Sequence, residues 1–187
     1  MKRSTPRVRA AACGSLLAVG LGFGLAGPVQ AVGATCATAC TAPATDGGVA
    51  PQNVVSTAHL TERAAAKAAR AALAAAVAAG QRVSVAVLDR SGNPIVVLRG
   101  DGAGPHTYES AQRKAYTAAS FNAPTSVLVG RLEQTPTLAD IPDTLFLAGG
   151  LPIRYQGSPI AGIGVAGAPS GLQDEQFAQA GIDALGH

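Results

Sequence analysis

Twelve of the sixteen residues from Ala64 to Ala79 are alanine, and no other stretch constrains the fold as tightly. Alanine has the highest intrinsic helix propensity. Thr61-Glu62 opens the segment and Gly80 closes it, so a helix is predicted between them. Leu73 and Val77 are its only bulky apolar residues, so it can lie very close against a neighbour. The rest of the chain agrees with that reading. Aromatics make up only 4% of the 187 residues, Trp is missing, and 23 residues are Gly, so small residues must do much of the packing. The length suits one domain. Charged residues at 13% against 48% apolar exclude wholesale disorder.

After Gly80 the residue pattern changes period. Val83 to Leu88 is rich in β-branched residues, Asp89 to Asn93 is a turn, and Pro94 to Leu98 is a second strand, which together make a hairpin. A glycine-rich loop, Gly100 to Gly104, leads through Pro105-His106 to Thr107, the expected N-cap of a helix reaching Ser120. A shorter helix is predicted over Ser126 to Gln134, then an irregular loop from Thr135 to Thr144. Leu145 to Leu147, Ile153 to Tyr155 and Pro159 to Ala166 are strand candidates. Ser170 with Gln173 forms a capping box for a closing helix to Leu185. The predicted order is α-β-β-α-α-β-β-α, an α+β fold with helices on an antiparallel sheet.

The N-terminus carries a separate message. Lys2, Arg3, Arg7 and Arg9 precede an apolar run over residues 10–26, and Val29 and Ala31 stand where signal peptidase reads small residues. A run of 17 residues is short for a membrane span of about 20. Residues 1–31 are therefore expected to be a secretory leader, residues 32–53 a flexible tail, and residues 54–187 the folded domain of an exported, soluble protein. The formal charge of +3 belongs to that leader: without it ten basic residues face eleven acidic ones. No Lys/Arg run survives, and nucleic acid is excluded as a partner. Cys36 and Cys40 remain, a pair suited to a local or intermolecular disulfide in an oxidising compartment.

Most familiar site chemistries are missing. There is no nucleophile elbow, HExxH, CxxC or calcium loop, and Gly100 to Gly104 lacks the lysine and hydroxyl of a phosphate loop. The histidines, His59, His106 and His187, are far apart in sequence. The helix after Thr107 is more informative. Ser110, Lys114, Thr117 and Phe121 fall within roughly 60° of arc, with Thr107 beside them. The face of Tyr108, Ala111, Ala115 and Ala119 is expected to pack on the sheet. The first arc is either a solvated face or a surface for a mixed apolar and anionic ligand.

Several segments, in order, resemble the GlcG/HbpS family. They are Ala58-His59-Leu60-Thr61, the stretch from Val83 to Asn93, Arg99-Gly100-Asp101-Gly102-Ala103, and Arg113-Lys114-Ala115-Tyr116-Thr117-Ala118. Gly149-Gly150-Leu151-Pro152-Ile153 and Ile163-Gly164-Val165-Ala166-Gly167, followed by Asp174-Glu175, complete the set. With an export leader and Leu145 to Gly150, the chain looks most similar to the secreted haem-binding HbpS branch.

That resemblance implies a homo-oligomer, up to an octamer, holding haem near subunit contacts. It also implies an accessory haem or redox sensor, or scavenger, linked to the membrane sensor kinase of a two-component system. Haem degradation is the second implied reading and a module for another small ligand the third. The resemblance implies a threonine hydroxyl on the haem iron, carried over to Thr117 first and Thr107 second, with His106 competing. Lys114 or Arg113 would then pair with propionates, and Phe121 and Tyr108 would lie against the porphyrin. One departure stands out: the D/E-x-x-E pattern associated with surface iron binding in that branch is missing, with Asp140-Ile141-Pro142-Asp143 the nearest substitute.

Overall fold

In the computed structural model, which describes residues 48–186, the alanine-rich segment forms helix α1 over Glu62–Ala78. The leader, Cys36, Cys40, most of the expected tail and His187 lie outside the described residues. Thr61 caps α1, its hydroxyl accepting from Ala64 N at 3.2 Å. At the other end Gly80, with φ +71°, lets Gly80 N reach Val77 O and Gln81 N reach Ala76 O. That paired closure needs a left-handed residue just past the helix, and glycine supplies it without a Cβ clash.

Strands β1 (Ser84–Asp89) and β2 (Pro94–Arg99) form the expected hairpin. Asp89 ties its turn, its Oδ1 accepting from Ser91 N and Asn93 N at 2.8 and 2.9 Å. Helix α2 (Pro105–Phe121) and helix α3 (Thr125–Val129) follow, then 3-10 turns at Gly130–Glu133 and Pro136–Asp140. Strands β3 (Gly150–Tyr155) and β4 (Ser158–Ala166) and helix α4 (Gly171–Asp183) complete the chain. The sheet is antiparallel throughout, in the order β2-β1-β4-β3. The fold is α+β, as the sequence predicts.

Two local expectations fail. Leu145 to Leu147 is not a strand; its chain is held by Leu145 N donating to Thr117 Oγ1, outside the sheet. The helix expected to reach Gln134 is α-helical only to Val129 and tightens into a 3-10 turn at Gly130. In the segment expected as a tail, Pro51–Asn53 form one 3-10 turn.

The sheet separates two unlike cores. Val85 and Val87 of β1, Ile163 and Val165 of β4, and Leu151 and Ile153 of β3 face α1 and α4, meeting Ala65, Ala68, Ala69, Ala72 and Phe177. On the other face the buried residues are Ala86, Leu88 and Ala166, with Val97 half-buried beside them, and α2 lies on it through Ala111 and Ala115. Gly162 and Gly164 sit directly beneath α2. A Cβ on either would collide with the backbone carbonyl of Ala115 or Ala111. The glycine-rich strand and the alanine-rich helix are thus one device, which brings α2 close enough to the sheet for a buried polar contact to form.

Candidate functional site

α2 carries most of the chemistry-bearing residues, and its start decides where they point. Gly104 is the N-cap and Pro105 opens the first turn, so Thr107 lies inside the helix rather than capping it. A proline at that position needs no N–H partner and has a pre-set φ. The Thr107 hydroxyl donates to Gly104 O at 2.7 Å and meets Ser84 Oγ at 2.7 Å, and the residue is fully buried.

His106, Ser110 and Lys114, four residues apart, share one flank of α2 and line an open cleft of about 420 Å³. Small-molecule sites commonly run about 300–1,000 Å³. Leu147 and Ala148 form another wall, Ala166 to Ala168 the end of β4, and Ser170 to Leu172 the start of α4. Leu147 and Leu172, 55% and 63% exposed, give the cleft two apolar rims. The His106 side chain is exposed, and its ring has no hydrogen-bond partner among the described residues. A Cβ at Gly104 would stand 2.7 Å from the imidazole Cε1, so only glycine there lets the ring fold back over the chain.

The floor of the cleft is a buried ion pair. Lys114 Nζ donates to Asp174 Oδ2 at 2.9 Å and to Val165 O at 3.0 Å. The two side chains are 6% and 3% exposed. Asp174 Oδ1 accepts from Ala168 N at 2.9 Å. Burial pushes the Asp174 carboxyl up, against the opposing pull of the Lys114 ammonium and the amides of Ala168 and Gly167. Next to it, Glu175 accepts from Ser126 Oγ at 2.7 Å and from Gly149 N at 3.4 Å, tying the start of α4 to α3 and to the cleft wall.

The expected stripe does not survive as one surface. Ser110 and Lys114 enter the cleft, but Lys114 is buried rather than free to meet a ligand. Thr117 is buried too, donating to Arg113 O and accepting from Leu145 N, both at 2.7 Å. Phe121 packs edge-on against Phe146 at 5.4 Å. Tyr108, expected against the sheet, is 46% exposed, and Ala111, Ala115 and Ala119 are the residues that lie over Gly162 and Gly164. Arg113 opens on a different cleft of about 240 Å³, with Glu109, Tyr116 and Asp143. Its guanidinium donates to Thr144 O at 2.7 Å. Asp174, Leu147, Leu172 and Gly104 carry the site without a local signal of their role. Lys114 and Asp174 are 60 residues apart in sequence.

The profile of the HbpS-like family, described as haem degrading protein HbpS-like, matches residues 60–183. The chain belongs to that family. The HbpS-like chain is 62% identical to HbpS over 75% of its own length and 99% of that chain, with a TM-score of 0.74. A double mutant of Streptomyces reticuli HbpS gives 61% identity over 75% and 96%, again at 0.74. PduOC, solved as a haem complex, is similar at 26% identity over 68% of this chain and 95% of its own, with a TM-score of 0.63. No curated protein matches.

Whether haem fits can be judged on the donors themselves. The two threonine hydroxyls have their protons committed to backbone carbonyls inside the fold. His106 is the exposed candidate, and imidazole is a common axial ligand of haem iron. Apolar rims at Leu147 and Leu172 suit the faces of a porphyrin. The residues of the cleft fit the group.

Proposed function

We propose that this protein is a secreted, self-assembling haem-binding protein, an accessory haem or redox sensor or scavenger linked to a membrane sensor kinase. The observation that carries the haem reading is the α2–α4 cleft, where an imidazole with no hydrogen-bond partner among the described residues shares an ion-paired floor with two exposed leucines. Membership of the HbpS-like family and likeness to a haem-bound relative support it. Haem, when bound, would supply an iron open to a protein ligand. His106 is the residue best placed to provide that ligand, ahead of Thr117 and Thr107. Ser110 offers a hydroxyl to the polar edge, and the Lys114–Asp174 pair holds the floor in shape. Export rests on the leader of residues 1–31, and the kinase link on the HbpS resemblance.

Hemin titration of the mature protein tests this reading. A saturable Soret band is expected, lost in His106→Ala and retained in Thr107→Val and Thr117→Val. No saturable band in the parent protein overturns haem binding. A band that survives His106→Ala but not Thr117→Val moves the ligand to the threonine. The family description favours a second reading, haem degradation. It requires the band to disappear with release of iron under a reductant or peroxide, faster than free hemin bleaches.

A further inference from the structure

Helix α1 distributes its apolar residues unevenly. Its buried positions, Ala65, Ala68, Ala69, Ala72 and Ala76, are all alanine. Leu73 and Val77, its only bulky apolar residues, stand one turn apart and line an open cleft of about 390 Å³. Leu73 is half-buried, and Val77 is 64% exposed. The volume falls within the range of small-molecule sites. This cleft shares no residue with the α2–α4 cleft.

Two guanidiniums line it as well. Arg99 ends β2, and its Nε and Nη2 donate to Ala103 O at 3.2 and 2.7 Å. That fixes the plane of the group and leaves Nη1 uncommitted among the described residues. The Arg82 side chain has no hydrogen bond or ion pair among the described residues. The glycine-rich loop after β2 makes room for both walls. A Cβ on Gly102, with φ +74°, would stand 3.0 Å from Arg82 Cδ, and one on Gly100 would stand 3.0 Å from Leu73 Cδ1. Glycine thus lets the arginine and the leucine press against the loop.

The charge balance narrows the ligand. Asp101 lines the cleft and pairs with neither arginine, so two positive charges face one negative. The carbonyls at the end of α1, which would repel an anion, are already engaged. Gly80 N donates to Val77 O, Gln81 N to Ala76 O, and Gln81 Nε2 to Ala79 O.

We propose that this cleft binds a small organic acid, with one carboxylate on an apolar body. The carboxylate meets Arg82 and the uncommitted Nη1 of Arg99, since guanidinium matches carboxylate in shape and charge. The body covers Leu73 and Val77, which removes their apolar surface from water. A net charge of one positive suits a monoanion, and the apolar floor offers nothing to inorganic phosphate. This assignment is independent of the haem reading.

Isothermal titration of the hemin-free mature protein tests it, with octanoate and 3-phenylpropanoate used separately below micelle-forming concentration. Saturable binding of at least one acid is expected, and the tighter of the two tells an acyl body from an aryl one. Arg82→Gln should weaken it about tenfold, the worth of one charge-assisted hydrogen bond. Val77→Ser should weaken it about threefold by loss of apolar contact. Both residues are exposed, so the melting temperatures should match the parent. Leu172→Ser, which alters the other cleft, should bind as the parent does. Absence of saturable binding for both acids overturns the proposal. Octylamine or inorganic phosphate binding as tightly as octanoate overturns the ligand class. Affinity unchanged in Arg82→Gln, or lost in Leu172→Ser, overturns the site.

Discussion

Replacing Lys114 by Met should expose how the cleft floor is held. Both members of the pair are almost wholly removed from water, at 6% and 3% exposure, so solvent screens them little. Met keeps the length of the lysine stem but leaves the Asp174 carboxylate with backbone amides as its remaining partners. Breaking a buried pair by removing one partner costs about 3–5 kcal/mol. The cost has a ceiling, because Asp174 can take up a proton instead. Burial already holds its carboxyl above the ordinary value of 3.8, and losing the ammonium removes an opposing pull. Each pH unit between that raised value and the medium is worth about 1.4 kcal/mol. A carboxyl raised by folding contributes stability that is complete below 3.8 and is lost as pH rises through the folded value. Lys114→Met should therefore be weakest near neutrality and recover on acidification. Asp174→Asn should abolish that pH dependence, and the double variant should regain part of the single-variant loss. Urea unfolding followed by circular dichroism, at neutral and mildly acidic pH, measures all four proteins. A Lys114→Met protein within about 1 kcal/mol of the parent at neutral pH, or one indifferent to pH, would refute this account of the floor.

Three further outcomes follow from the packing. Gly164→Ala drives a methyl into the Ala111 carbonyl, so urea unfolding should show a loss of about 1–3 kcal/mol from overpacking. Thr117→Val strands the Leu145 amide, costing about 1–3 kcal/mol in the same assay, while the Soret band of added hemin persists. Gly104→Ala pushes against the His106 ring, so hemin binding should weaken in titration by more than the melting temperature changes.

Much of the fold was legible because its signals are local. The Thr61 cap, the Gly80 stop, the Asp89 turn and the Ser170 cap each act within five residues, and each is made as predicted. The helix starts at Gly104 rather than at Thr107 because two capping solutions compete there, and Pro105 at the first position outweighs the Thr107 hydroxyl. Leu145 to Leu147 reads as a strand on composition alone. Its apolar side chains cover α2 and the cleft rim instead, and strand pairing begins only at Gly150.

By itself, then, the amino-acid sequence determined the α+β class, the order of elements and the need for backbones to pack closely on small residues. Alanine and glycine state that closeness directly, since no larger side chain keeps the backbones apart. Tertiary structure decided the site. An arc on α2 containing Ser110, Lys114 and Thr117 has the same polarity whether it faces water or protein. Lys114 turns inward because Asp174, 60 residues away, neutralises it there. Thr117 is buried because the chain at Leu145 folds across it. His106 is left at the cleft mouth because no other group claims it, and that is decided by the packing of α4 and the Leu147 wall rather than by its neighbours in sequence.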